Sequence, residues 1–205
     1  MDLMEMLQGQ FSKTLVDQLS RQIGGASPKQ TNKAIELAVP AIMNALSRNV
    51  ASPEGAQGLA GALDRDHDGS ILDDVFGFLS GSKQAANPSM LNGSGILSHV
   101  LGGNQNNIIG MIAKMTGMDQ SKAGSLLVTL APMILGVLGK QKKESNLGST
   151  ALADLITRST QNHNRGFKKA GIINKVLDSD GDGSVLDDIG GMGLKFLMGR
   201  LFGRK

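Results

Sequence analysis

The chain has 205 residues, 40% of them hydrophobic, so it can bury one sizeable core or two smaller ones. It contains no Cys, which excludes disulfides, thiolate metal sites and a cysteine nucleophile. The net charge is +3, but ten of the 18 acidic residues are aspartates in two short segments; without those ten, the chain has 21 basic residues against eight acidic ones. Aromatic side chains for base stacking are scarce, with six Phe and no Trp or Tyr, so we expect no nucleic-acid partner.

The first residues, MDLMEMLQGQF, lack the basic start and apolar core of a signal peptide. The longest apolar stretch, Leu126 to Gly139, is shorter than the roughly 18 residues needed to span a bilayer, and it contains a proline. We therefore predict a cytoplasmic protein by default, with signal-independent export as an open alternative.

Helical spacing of apolar residues begins near the N-terminus, where Val16, Leu19 and Ile23 share one helix face. Ser27 followed by Pro28 predicts the start of a second helix, and Asp119 can start a similar one later in the chain. Pro40 and Pro132 lie inside apolar periodic runs and are predicted to kink or break those helices.

The chain also repeats itself. AIELAVPAIMNALSR, around Pro40, resembles LLVTLAPMILGVLGK, around Pro132, and the two prolines lie 92 positions apart. The two acidic segments are 114 positions apart, so the second copy carries about 22 additional residues in a polar, partly loop-like stretch. These features predict an all-α fold, a helical bundle made of two related repeats that each end in a short EF-hand-like acidic loop. The predicted regions are 1–79 (repeat one, acidic loop 64–74), 80–95 (linker) and 96–205 (repeat two, acidic loop 178–188).

The acidic segments are LDRDHDGSILDDV, from Leu63, and LDSDGDGSVLDDI, from Leu177. Five carboxylates packed together repel one another, and a bound cation would offset that repulsion. The pattern D-x-D-x-D-G matches the opening of an EF-hand calcium loop, with a glycine at the sharp turn. Oxygen-rich, flexible loops suit Ca²⁺ better than Mg²⁺. The predicted ligands of two Ca²⁺ ions are Asp64, Asp66, Asp68, Ser70, Asp73 and Asp74 in the first loop, and Asp178, Asp180, Asp182, Ser184, Asp187 and Asp188 in the second.

Both loops depart from the EF-hand pattern at position 12, where Val75 and Ile189 replace the bidentate Glu. The closing carboxylate is then expected from the Asp pair at positions 10 and 11. Ser70 and Asp73 have the spacing of a capping box, as do Ser184 and Asp187, which favours position 10. Asp74 and Asp188 would add a further contact.

The three histidines add no ligand cluster. His67 occupies loop position 4, whose side chain is expected to face solvent, while His99 and His163 have no partner at ligand spacing and are expected to be surface or structural residues. No nucleophile and base occur together, so we predict that the protein is not an enzyme.

Three stretches carry a resemblance to a known family: GILSHVLGG (95–103), LAPMILGVLGKQ (130–141) and the LDSDGDGSVLDD ending. Together they resemble the bacterial domain of unknown function 937 family, which includes YidB-like proteins. The resemblance implies a small helical protein without assigned catalysis. YidB-like members need not share the acidic loops, so the metal prediction rests on this sequence.

The predicted function is that of a non-enzymatic calcium-binding protein, whose ions act as structural staples or as a switch. The alternative is a scaffold or self-assembling protein, with itself or another protein as partner, since glycine- and Met-rich helix faces suit both cores and interfaces. The C-terminal stretch 190–205 has the pattern of a basic amphipathic helix, which can lie on an anionic membrane. We favour packing of this helix on the core over membrane binding, because its apolar residues are not confined to one face.

Overall fold

The computed structural model describes residues 3–74, 77, 92–167 and 169–178. All regular secondary structure in these residues is helical, and they include no strand, which confirms the predicted all-α class. The C-terminal stretch 190–205 and most of the second acidic segment lie outside the described residues. The α-helices are α1 (Leu3–Gly9), α2 (Lys13–Gln22), α3 (Pro28–Asn49), α4 (Pro53–Asp66), α5 (Gly93–Leu101), α6 (Gln105–Thr116), α7 (Gln120–Glu144), α8 (Ser149–Gly166) and α9 (Ala170–Asp178), with short 3₁₀ helices at Ser70–Asp74 and Gly102–Asn104.

Two long helices, α3 and α7, form the centre of the bundle. α3 packs against α2, α6, α7, α8 and α9, and α7 packs against α4, α5, α6 and the 3₁₀ helix at Ser70–Asp74. The buried apolar side chains form one continuous cluster that extends from Leu3 to Leu177. Residues from both ends of the described chain therefore share a single aliphatic core.

The predicted start of α3 is confirmed. The Ser27 hydroxyl accepts a hydrogen bond from the Gln30 N–H at 3.2 Å, and the Gln30 side chain accepts one from the Ser27 N–H, which completes a capping box. Asp119 precedes α7 as predicted, although its carboxylate lies 3.6 Å from the Lys122 ammonium and does not cap the helix.

Helices occupy parts of two stretches, one predicted as a linker and the other as polar and partly loop-like. α5 begins at Gly93, inside the range 80–95 predicted as a linker, with Asn92 as its side-chain N-cap. Most of the polar stretch that follows α7 forms the helix α8. Polar composition concealed that helix, because only one of its faces is buried.

Both helices that were predicted to kink or break at proline continue through it without a break. Pro132 cannot donate to the Val128 carbonyl one turn earlier. Gly93 of α5 lies against that carbonyl, so closely that a Cβ atom at Gly93 would overlap it. The Pro40 carbonyl accepts a hydrogen bond from Asn44 Nδ2 at 2.8 Å. Burial of both proline rings in the core offsets the lost backbone bonds, which helix periodicity alone could not reveal.

Within the described residues, α7 is the one helix long and apolar enough to cross a membrane by length and composition. In this fold 72% of its most apolar stretch is buried by surrounding helices. Its apolar character is therefore accounted for as that of a core helix.

The first acidic segment packs against the C-terminal half of α7 through glycines. A Cβ atom at Gly139 would overlap the His67 carbonyl, and one at Gly136 would lie 2.5 Å from Ile71 Cγ2. Gly69, on the other side of the contact, has φ +97° and lies against Lys140. The backbone of the segment can approach α7 only because these positions carry no side chain.

This contact predicts unequal effects of Gly→Ala substitutions within α7. Gly139→Ala is expected to destabilise the protein by at least about 2 kcal/mol, because the methyl group would enter the space of the His67 carbonyl. Gly124→Ala is the matched control, since its Cβ would meet only Ile109 Cδ1, at an ordinary 3.6 Å, and helix propensity would favour alanine by up to about 1 kcal/mol. Urea unfolding of both variants measures the difference, and equal stability of the two would contradict the packing described.

Candidate functional site

The first acidic segment begins on the last turn of α4 and ends in a 3₁₀ helix. Asp64 and Asp66 belong to α4, the chain turns at Gly69, and Ser70–Asp74 form the 3₁₀ helix. The predicted sharp turn at Gly69 is therefore present. Ile71, at loop position 8, is buried, as expected for an aliphatic residue that anchors the segment to the core.

Asp68 is the best-defined carboxylate of the segment. Its Oδ1 accepts a hydrogen bond from the Ser70 N–H at 3.0 Å. This bond and one from the Ser70 hydroxyl lower the pKa of Asp68, and Lys143 lowers it further by electrostatic attraction. The Asp68 carboxylate is thus held in its charged form. Ser70 is the first residue of the 3₁₀ helix and bonds back to Asp68; the predicted capping contact with Asp73 lies outside the described side chains.

The other two described aspartates lie beside cations. Asp64 Oδ1 is 2.6 Å from Lys142 Nζ, with 63% of the Asp64 side chain and 14% of the Lys142 side chain exposed. Asp66 Oδ2 lies 3.9 Å from Arg65 Nε. Sequence reasoning missed Lys142 because it lies 78 residues after Asp64, on a different helix.

The structure does not gather a complete ligand set from the side chains it describes, in which no three His, Asp or Glu residues are grouped as a metal site. In the first segment, the side chains of Asp73 and Asp74 are not among the described side chains. So do all predicted ligands of the second segment: Asp178, Asp180, Asp182, Ser184, Asp187 and Asp188.

The prediction that His67 faces solvent is wrong. Its side chain is buried, with 4% of the residue exposed, because α7 covers the segment at Gly139. Burial lowers the pKa of His67, although the neighbouring Asp66 carboxylate acts in the opposite direction. The imidazole Nδ1 is buried and has no hydrogen-bond partner among the described residues. Of the other histidines, His99 is exposed, and the ring of His163 packs 5.0 Å from that of Phe167.

A cavity of about 450 Å³ adjoins the start of the acidic segment, and sequence reasoning gave no sign of it. It lies between the end of α3, one face of α4, the beginning of α5 and Leu135 of α7. Asp66 and His67 form part of its wall, so the acidic segment and the cavity share two adjacent residues. The residues of α4 that line the cavity follow helical spacing and so share one face. Only the tertiary fold shows that this face borders open space.

Comparison with known proteins places the chain in a family. Residues 5–141 match the family model described as "Bacterial protein of unknown function (DUF937)". The matched range includes the first acidic segment and ends before the second. Searches of curated proteins and of solved structures found no match. Because the family model covers more than half of the 205 residues, the chain belongs to the DUF937 family.

Proposed function

We propose that this protein is a non-enzymatic calcium-binding helical protein, in which each acidic segment holds one Ca²⁺ as a structural staple or a switch. The observation that carries the proposal is the occurrence of D-x-D-x-D-G-S-[IV]-L-D-D twice in a chain that is otherwise basic. A repeated pattern with the same trailing Asp pair is more specific than one Asp-rich turn.

The proposal includes a fold of two related repeats. α6 begins 92 positions after α2, and α7 begins 92 positions after α3, which is the separation of the two prolines. α4 and α9, the helices that lead into the acidic segments, pack on α7 and α3 respectively. Each leading helix would then lie on the proline-containing helix of the other repeat, and α8 would be the insertion in the second repeat.

Three features of the first segment support an ion there. Gly69 makes the turn that an EF-hand loop requires at its sixth position. Asp68 is held charged by Ser70, and Ile71 fixes the chain that follows. Asp64 and Asp66 lie two positions apart on the last turn of α4, where side chains at that spacing do not face each other, so this turn would have to unwind for both to join Asp68 on one ion.

Lys142 would compete with this ion, because its ammonium forms an ion pair with the Asp64 carboxylate at loop position 1. A partly exposed ion pair contributes only up to about 1 kcal/mol, so a divalent ion with several oxygen ligands can displace it. Together with the missing bidentate Glu, this competition favours affinity in the micromolar-to-millimolar range.

Calcium titration of the chelator-treated full-length protein by isothermal calorimetry tests the proposal, and two bound ions and a raised melting temperature are expected. Replacing Asp64, Asp66 and Asp68 with Asn should remove one ion. The charge-matched control replaces exposed acids elsewhere, Glu36→Gln, Asp119→Asn and Asp154→Asn, and should retain both. Absence of heat and of any change in melting temperature up to millimolar calcium would rule the proposal out.

The closing ligand is predicted to be Asp73 in the first segment and Asp187 in the second. Asp73→Asn should weaken calcium binding more than Asp74→Asn, because position 10 has the spacing that turns a carboxylate back toward the loop. The same order is expected for Asp187→Asn and Asp188→Asn. Calorimetric affinities of the four variants decide the matter, and the reverse order would assign closure to position 11.

Removal of the competing ammonium should strengthen the first site. Lys142→Gln is expected to raise its calcium affinity by up to about fivefold, the equivalent of an ion pair of about 1 kcal/mol. Lys114→Gln, on the exposed surface of α6, is the control for the loss of one positive charge and should have little effect. If both variants bind calcium like the parent protein, Lys142 does not compete with the ion.

A further inference from the structure

The cavity beside α4 has an apolar wall that the described residues cover only in part. Its volume is about 450 Å³, and its apolar lining includes Leu46 of α3, Leu59 of α4, Ile96 of α5 and Leu135 of α7. Leu59 and Ile96 pack against the core but remain only partly buried. Covering such side chains removes apolar surface from water, so a further apolar segment would gain free energy by packing here.

The charge at the cavity suits a basic segment. Glu54, in the first turn of α4, lines the cavity, and none of the ion pairs among the described residues involves it. None of the described lining residues is Lys or Arg, although the chain has 21 of them. Asp66 also lines the cavity, but Arg65 already lies beside it. Glu54 is therefore the carboxylate that can attract a positive charge to this surface.

The chain leaves the described part of the structure beside this cavity. Near the end of α9, the Leu177 carbonyl accepts a hydrogen bond from Arg48 Nη1 at 2.7 Å. The next residue of the chain after Arg48 is Asn49, whose Nδ2 donates to the Val100 carbonyl at 3.2 Å. Asn49 and Val100 both line the cavity. The end of α9 is thus held by a residue adjacent to the cavity wall.

The stretch 190–205, which lies outside the described residues, has a composition that matches the cavity. It contains four basic residues and no acidic one. Its residues Leu194, Leu197, Met198 and Leu201 follow the spacing i, i+3, i+4 and i+7, which is typical of a helix that binds in an apolar groove. The eleven residues between α9 and this stretch can span up to about 35 Å, so the stretch can reach the cavity.

From these observations we infer that the cavity is the docking site of the chain's own stretch 190–205, whose apolar face lies on the wall and whose positive charge lies near Glu54. A tethered segment is present at a high effective concentration, which favours it over a second copy or a lipid surface. Docking of this stretch is independent of calcium, because neither Glu54, the apolar wall nor the stretch supplies a proposed calcium ligand.

Because the chain has no Cys, a pair of introduced cysteines reports directly on this contact. Gly58 lines the cavity, while its exposed neighbour Gln57 does not. Gly58→Cys or Gln57→Cys is combined in the full-length protein with Leu194→Cys, Met198→Cys or Phe202→Cys. Disulfide formation by diamide, in the presence of chelator, is followed by mass spectrometry. Since a disulfide requires Cα atoms within about 7 Å, at least one Gly58→Cys pair should close within the chain at least about tenfold faster than its Gln57→Cys counterpart.

Two further substitutions test whether the apolar face of the stretch makes the contact. Leu197→Asp places a carboxylate on that face, and Gly203→Asp places one on the opposite side of the same helical wheel. Leu197→Asp should slow the fastest Gly58→Cys disulfide by at least about tenfold, because burial of an unpaired carboxylate is unfavourable. Gly203→Asp should change the rate little. Neither position belongs to the described core, so the fold itself is not altered at the cavity.

Three results would overturn the inference. Equal rates of the Gly58→Cys and Gln57→Cys pairs with all three partners, or equal effects of Leu197→Asp and Gly203→Asp, would show that the stretch does not dock through its apolar face. A disulfide that forms only between two chains would assign the cavity to a second copy. Equal rates together with sedimentation of the protein on phosphatidylserine vesicles would assign the stretch to a membrane surface.

Discussion

The contact between the His67 carbonyl and Gly139 is the constraint on which the site depends. A helix that carried a side chain at this position could not lie so close to the turn at the end of α4. Because α7 does lie there, His67 is buried, Ile71 reaches the core, and Lys142 comes within 2.6 Å of Asp64. The absence of side chains at Gly139, Gly136 and Gly69 therefore permits the burial of His67, the packing of Ile71 and the approach of Lys142 to Asp64.

The same principle operates at the proline of α7. The Val128 carbonyl loses its helical donor at Pro132, and Gly93 lets α5 pack directly on the exposed carbonyl. The sequence pattern predicted a weak point in the helix, and this was chemically reasonable because Pro132 removes one backbone hydrogen bond. It could not predict that the helix continues, because burial of Pro132 depends on helices that the local pattern does not contain.

The features that sequence reasoning predicted well depend on neighbours along the chain. The all-α class followed from apolar periodicity, the start of α3 from Ser27 and Pro28, and the turn at Gly69 from the loop pattern. The features it missed depend on residues that only the fold brings together. Burial of His67 requires α7, the Lys142–Asp64 pair joins residues 78 positions apart, and the cavity needs four helices. A local pattern contains no information about which helix covers it.

The lysines of α7 partly offset the repulsion between the carboxylates of the first acidic segment. Lys142 pairs with Asp64, Lys143 stabilises the charged form of Asp68, and Arg65 lies near Asp66. Each of these three cations lies beside one of the three described carboxylates of a segment that contains five by sequence. These ion pairs are partly exposed and each contributes little, so the proposed binding of Ca²⁺ would cost only a weak pair when it displaces a lysine ammonium.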